Sequence, residues 1–177
     1  MPTKQPPERI EPKNLRNYLD VMSKAVFQAG FSWPVVASKW PGIREAFRDF
    51  DPETVAGMVE PKIDALAQNT RIIRNRRKRE AIVGNAAKML DLESEHGTFK
   101  AYLRSHPDFD STVKSLRKEF KFLGDVGCYL FLHVVGEEVP PHDIFEASRT
   151  RKIAIASPTR PQQCRPQEGR RTGGAHK

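Results

Sequence analysis

Three stretches of this chain carry groups whose type and spacing could hold an anion or a flat ring. The first is Phe120-Lys121-Phe122-Leu123-Gly124-Asp125-Val126-Gly127-Cys128-Tyr129, followed by the apolar run Leu130 to Val135. Two glycines three apart mark a tight turn between a polar helix and an apolar one. Such a hairpin can aim unpaired backbone N–H groups, backed by a helix dipole, at an anion. Gly124, Val126 and Gly127 would supply those amides, and Lys121 could reach the same phosphate. Asp125 works against this, because its carboxylate would repel a phosphate or merely cap the helix. On spacing alone, an anion site and an ordinary helical turn are equally good readings.

The second stretch, Arg71 to Arg79, holds six basic residues in nine. Charge runs are usually solvated, but these cations fall at the start of a helix, where they oppose its macrodipole unless an anion offsets them. The apolar flanks Ile72-Ile73 and Ala81-Ile82 also hold the run against a core. The run, which includes Arg74, Arg76, Arg77 and Lys78, is therefore expected to contact phosphate. The third stretch, Gln28 to Trp33, sets two aromatics around a Gly–Ser turn. Trp33 could stack on a base. Aromatics so placed are more often core, and the pattern by itself favours core.

These stretches need helices to position them. Leu15, Tyr18, Leu19, Met22, Ala25, Val26 and Ala29 recur at three- and four-residue steps, which predicts a helix from Pro12 to Gly30. Ser32-Trp33-Pro34 can cap and open a short second helix to Trp40, which Pro41-Gly42 should break. Asp51-Pro52-Glu53 is a strong helix start, and two short helices split near Pro61 follow from it. A longer helix spans Asn75 to Glu93. Thr98 caps another short one, and Asp110 or Ser111 starts the helix that leads into the glycine hairpin. No segment alternates convincingly with period two. The expected fold class is all-α, about eight to ten short helices in one domain over 11–147. A disordered Pro-rich segment is expected at 1–10 and a disordered basic tail at 148–177.

At 177 residues the chain suits one well-buried domain. No apolar run is long enough to span a bilayer, and the N-terminus lacks the apolar region of a secretory signal. A cytoplasmic, nucleoid-associated monomer is expected, neither secreted nor bound to a membrane. The net charge is +8, and residues 149–177 hold eight Lys/Arg against the single acid Glu168. That tail accounts for +7 and leaves +1 for everything before it. Nucleic-acid contact must therefore come from local clusters, with the tail adding a salt-sensitive attraction. Cys128 and Cys164 have no His or Cys at ligand spacing, so no metal and no other cofactor is expected.

Four blocks, read together, go further. Phe27-Gln-Ala-Gly-Phe-Ser-Trp33, Phe50-Asp-Pro-Glu-Thr-Val-Ala-Gly-Met58, Ile72-Ile-Arg-Asn-Arg76 with Ala81-Ile-Val-Gly-Asn-Ala86, and Phe120-Lys-Phe-Leu-Gly124 with Cys128-Tyr129 closely resemble DNA-3-methyladenine glycosylase I. They stand in that family's order and spacing from Leu15 to Val139. The resemblance implies an all-α helix-hairpin-helix DNA glycosylase of base-excision repair. Its cleft would take a flipped alkylated base from duplex DNA and hydrolyse the N-glycosidic bond. It implies Trp33 and Gln28 at the base, Gly124 to Gly127 as the phosphate hairpin, and Arg74 to Lys78 as a second backbone clamp.

The chain also departs from the family. The glutamate three residues before the Gln of the Gln-Ala-Gly motif is Ala25 here, and the N-terminal Trp, Tyr and His block has no counterpart before Pro12. The Cys and His ligands of the family's structural zinc are missing, and Asp125-Val126-Gly127 replaces uncharged turn residues. Val139-Pro-Pro-His-Asp-Ile-Phe145 looks similar to the catalytic segment of other helix-hairpin-helix glycosylases, with the acid moved to the far side of the His. Asp143 could hold an attacking water or stabilise an oxocarbenium-like sugar. The favoured alternative is that His142 or Asp143 only caps a helix. Two functions remain: a divergent glycosylase, or a glycosylase-like module that binds damaged DNA without hydrolysis.

Overall fold

Side-chain caps set most of the helix starts. Asn14, Asp51, Asn75, Thr98 and Asp108 each accept a hydrogen bond from a backbone N–H three residues on. Each satisfies a donor that the first helical turn leaves unpaired. The helices are α1 (Leu15–Gln28), α2 (Trp33–Ala46), α3 (Pro52–Ala56), α4 (Glu60–Ala65), α5 (Arg76–His96), α6 (Phe99–Arg104), α7 (Phe109–Glu119), α8 (Asp125–Val134) and α9 (His142–Ala156). The computed structural model describes residues 7–156, and among them every regular element is helical, as the periodicity predicts.

Several boundaries differ from expectation, each for a physical reason. Pro41-Gly42 does not break α2, which runs through to Ala46. Val36, Trp40 and Ile43 are buried along it, and Gly42 lies so close to the Arg71 backbone that an added Cβ would sit 2.7 Å from its carbonyl oxygen. Tertiary packing there outweighs the hydrogen bond that Pro41 cannot make. The two short helices expected around Pro61 are present, α3 ending at Ala56 and α4 starting at Glu60, with Pro61 in the first turn of α4, where a missing N–H costs nothing. α7 starts after Asp108, two residues before the earliest expected cap.

The ends also differ. Residues 7–10, expected to be disordered, include Ile10, whose N–H donates to the Val134 carbonyl at 2.7 Å. Residues 148–156, expected as irregular tail, are the later turns of α9. The chain divides at Pro140–Pro141, not after Ala147, into the main helical body and a unit that carries α9. The remainder of both terminal expectations, residues 1–6 and 157–177, lies outside the described residues.

In the main body α1 is central, with contacts to α2, α3, α5 and α8. Its Leu19, Met22 and Val26 share one apolar cluster with Ile82 and Met89 of α5 and with Phe131 and Leu132 of α8. Between α2 and α3, Arg48, Asp49 and Phe50 all take left-handed backbone angles, with φ of 52°, 53° and 56°. Such residues cost roughly 1–2 kcal/mol each. Phe50 offsets this by stacking on Trp40 at 5.4 Å and on Phe47 at 5.8 Å, fully buried.

Two predictions follow from these contacts. Gly42→Ala should lower stability by about 1–3 kcal/mol in urea unfolding, because overpacking against Arg71 exceeds the ~1 kcal/mol that Ala gains in a helix. The caps predict a pH dependence. The Thr54 hydroxyl, the Thr54 N–H and Arg16 hold Asp51 below the usual carboxylate range, and the Ser111 N–H does the same for Asp108. The fold favours their charged forms, so their contribution is full above the ordinary carboxylate range and is lost as pH falls from there through their lower folded pKa values. The double variant Asp51→Asn, Asp108→Asn keeps a capping oxygen without the charge. Its melting temperature should fall less steeply with acid than the wild type's, and parallel curves would count against the caps.

Candidate functional site

The loop between α1 and α2 leaves Trp33 at the first position of α2, behind Ser32 and ahead of Pro34. Its ring is 45% exposed, whereas Trp40, two turns later on the same helix, is packed in the core. The core reading of Trp33 is thus overturned; the loop that leads to it passes through Gly30, whose φ is +102°. Gln28 is the last residue of α1 and is half-buried. Ala25 lies 4% exposed among the apolar side chains of the core, so the position that holds a glutamate in the family here faces hydrocarbon.

Another acid of α1, Asp20, is pushed upward by burial. It accepts from the Trp40 indole N–H at 3.0 Å and lies 3.7 Å from Arg44. It stands eight residues before Gln28, about 12 Å along the helix, and ties α1 to α2 away from Trp33. Asp143 lies exposed in the first turn of α9, in the separate C-terminal unit, where its charge suits the helix dipole.

The basic run at the start of α5 divides into two kinds of residue. Arg74 and Arg77 are exposed and make no ion pair among the described residues. Arg76 is already neutralised, by Glu80 at 2.6 Å, Glu60 at 3.0 Å and Asp64 at 3.4 Å. Lys78 is only 4% exposed, and its ammonium donates to the carbonyls of Val26 and Ala29 at the C-terminal end of α1. It also lies over the rings of Phe31 at 5.3 Å and Phe122 at 5.9 Å. Burial lowers the pKa of this amine. Expected as a phosphate contact, Lys78 is instead committed inside the protein, because α1 presents unpaired carbonyls and its negative dipole end there.

The hairpin joins α7 to α8. Gly124 is the N-cap of α8 with no side-chain bond to the first turn, and a Cβ added to it would meet nothing within 4 Å. The first-turn amides around Val126 and Gly127 therefore have no side-chain competitor at the cap. Gly127 has a packing reason to be glycine, since a Cβ would come 3.2 Å from Leu123. Asp125 does not stand in the turn as a bare charge: Arg117 of α7 holds it at 2.8 Å. Lys121 is exposed at the entry, and Phe122, with φ of +57°, is 46% exposed beside it.

The sequence reading missed Asn85. This α5 residue is 2% exposed, donates to the Lys121 carbonyl at 3.1 Å and accepts from the Lys121 N–H at 2.8 Å. The periodic signal was present, since Lys78, Ile82, Asn85 and Met89 fall on one inward stripe of α5. A structural zinc does not fit the donors in view: Cys128 is buried, its thiol pushed up to about 12 mainly by that burial. Among the described residues no group of three or more His, Cys, Asp or Glu is placed to hold a metal ion. None of the described helices is long and apolar enough to cross a membrane.

With this geometry established, the comparisons with known proteins can be placed on it. The family model for methyladenine glycosylases matches residues 11–119, ending at the last residue of α7. The DNA-3-methyladenine glycosylase of Haemophilus influenzae is 37% identical over 130 residues, 62% of this chain and 70% of that protein. The Escherichia coli DNA-3-methyladenine glycosylase 1 is 34% identical over the same shares. The solved 3-methyladenine DNA glycosylase I of Staphylococcus aureus superposes with a TM-score of 0.65 at 29% identity, covering 76% of this chain and 87% of that one. The sequence blocks, the all-helical fold and these matches agree, and the chain belongs to the methyladenine glycosylase family.

Proposed function

We propose that this chain is a DNA glycosylase of base-excision repair that flips an alkylated base, 3-methyladenine, out of duplex DNA and hydrolyses its N-glycosidic bond. The observation that carries the reading is Trp33, a large aromatic left exposed at a helix start instead of buried in the core. A duplex conceals the scissile bond, so the nucleotide must be extruded and its base stacked on such a ring. The open space at Gly124 and the uncapped first turn of α8 support a phosphate seat, with Lys121, Val126 and Gly127 around it. Arg74 and Arg77 supply the second backbone contact. In this reading the protein acts as a monomer, in the cytoplasm where the nucleoid lies.

The chemistry this arrangement supports is dissociative. A 3-methylated adenine in DNA is already cationic, and its ring gains from stacking on the indole face. Water adds its oxygen to C1′ as the bond from C1′ to the base breaks. The electron pair leaves with the base, which departs neutral, and the proton of the water passes to solvent. No protonation of the leaving group is needed, so the apolar environment of Ala25 is compatible with turnover. The same Ala25 favours the second reading, a module that binds damaged DNA without cleaving it.

Release of free 3-methyladenine from alkylated duplex DNA decides between them. The purified protein should release it, and Trp33→Ala should slow release roughly 10- to 100-fold, the cost of one stacking contact. Binding to abasic or alkylated duplex with no release would leave the binding module standing. The double variant Arg74→Ala, Arg77→Ala should flatten the dependence of log affinity on log salt by about 2, and Arg76→Ala should leave that slope unchanged. A normal slope in the double variant would remove those arginines from the interface.

A further inference from the structure

We infer that α5 acts as a spacer between the base-reading turn and the phosphate hairpin, gripping the first with Lys78 and the second with Asn85. The two are positioning residues for the reaction proposed above, and the inference rests on that reading. They stand seven residues apart, two helical turns, on the same inward face and about 10.5 Å along the axis. Both are buried polar side chains on that face, and both spend their hydrogen bonds on distant segments. Lys78 holds the carbonyls of Val26 and Ala29, the residues that lead directly into Gly30, Phe31 and Trp33. Asn85 pairs with both backbone groups of Lys121, as a neighbouring strand would, at 3.1 and 2.8 Å.

The two grips also meet each other. Phe122, turned back by its left-handed backbone, lies 5.9 Å from the Lys78 ammonium, and Phe31 reaches the same ammonium at 5.3 Å. Turn, hairpin and helix therefore close a ring of contacts with Lys78 at the junction. An apolar side chain at 78 would be easier to bury. It could not fix the end of α1 against sliding, which directed hydrogen bonds do. A flipped base and its flanking phosphate are held by separate segments, so the distance between those segments has to be set, and α5 sets it.

The test separates the two grips by measuring two ligands on the full chain. Free 3-methyladenine is titrated by quenching of tryptophan fluorescence, and a duplex with an abasic-site analogue by anisotropy at fixed salt. Lys78→Met should weaken the free base about tenfold or more and change duplex affinity little, while Asn85→Ala should do the reverse. Lys78→Arg, which keeps donors for Val26 and Ala29, should recover part of the base affinity. If a variant does not fold, Lys78→Arg and Asn85→Asp are read in the same assays, with each shift expected on its own ligand. Equal loss of both affinities in step with melting temperature, or no loss of either, overturns the inference. Base release is scored separately: a wild type that binds both ligands and releases nothing ends the glycosylase reaction but leaves the spacer in place. A wild type that binds neither ligand overturns the spacer.

Discussion

The fold turns on one buried cation. At the start of α5, Lys78 stands where a positive charge opposes the dipole of its own helix, and burial makes that charge more costly still. The offset comes from α1, whose last carbonyls accept its protons and whose dipole ends negative at the same place. Everything the protein presents outward near this point is arranged around that contact. The turn that exposes Trp33 begins at the carbonyls Lys78 holds, and the ring of Phe122 in the hairpin lies against the same ammonium.

Charge around the site is partitioned more finely than a basic cluster suggests. Of the cations at the head of α5, Arg76 is spent on three carboxylates, Lys78 on backbone carbonyls, and Arg79 is buried, which leaves Arg77, with Arg74 just ahead of the helix, available to an external anion. The hairpin shows the same economy. Asp125 would repel phosphate as a bare charge, but Arg117 binds it, and the pair becomes part of the α7–α8 scaffold. Ala25 contributes packing to the core where the family carries an acid. Trp33 stays exposed while the acid of the family is replaced, and the reaction proposed for this chain leans on a leaving group that carries its own charge.

The sequence alone determined the helical periods, the caps at Asp51 and Thr98 and the family blocks, because each depends on short-range pattern. Asp51 and Thr98 cap helices as local pattern requires. Tertiary structure decided the rest. Whether Pro41 ends a helix depends on Gly42 meeting Arg71, almost thirty residues away. Whether Trp33 is core or surface depends on how the α1–α2 loop turns. Which cation of the run from Arg71 to Arg79 faces inward depends on where the end of α1 lies. A charge run states how much charge a segment carries, and only the packed fold assigns each charge a partner. Lys78 and Asn85 take theirs from segments 49 and 36 residues away, a separation no local pattern encodes.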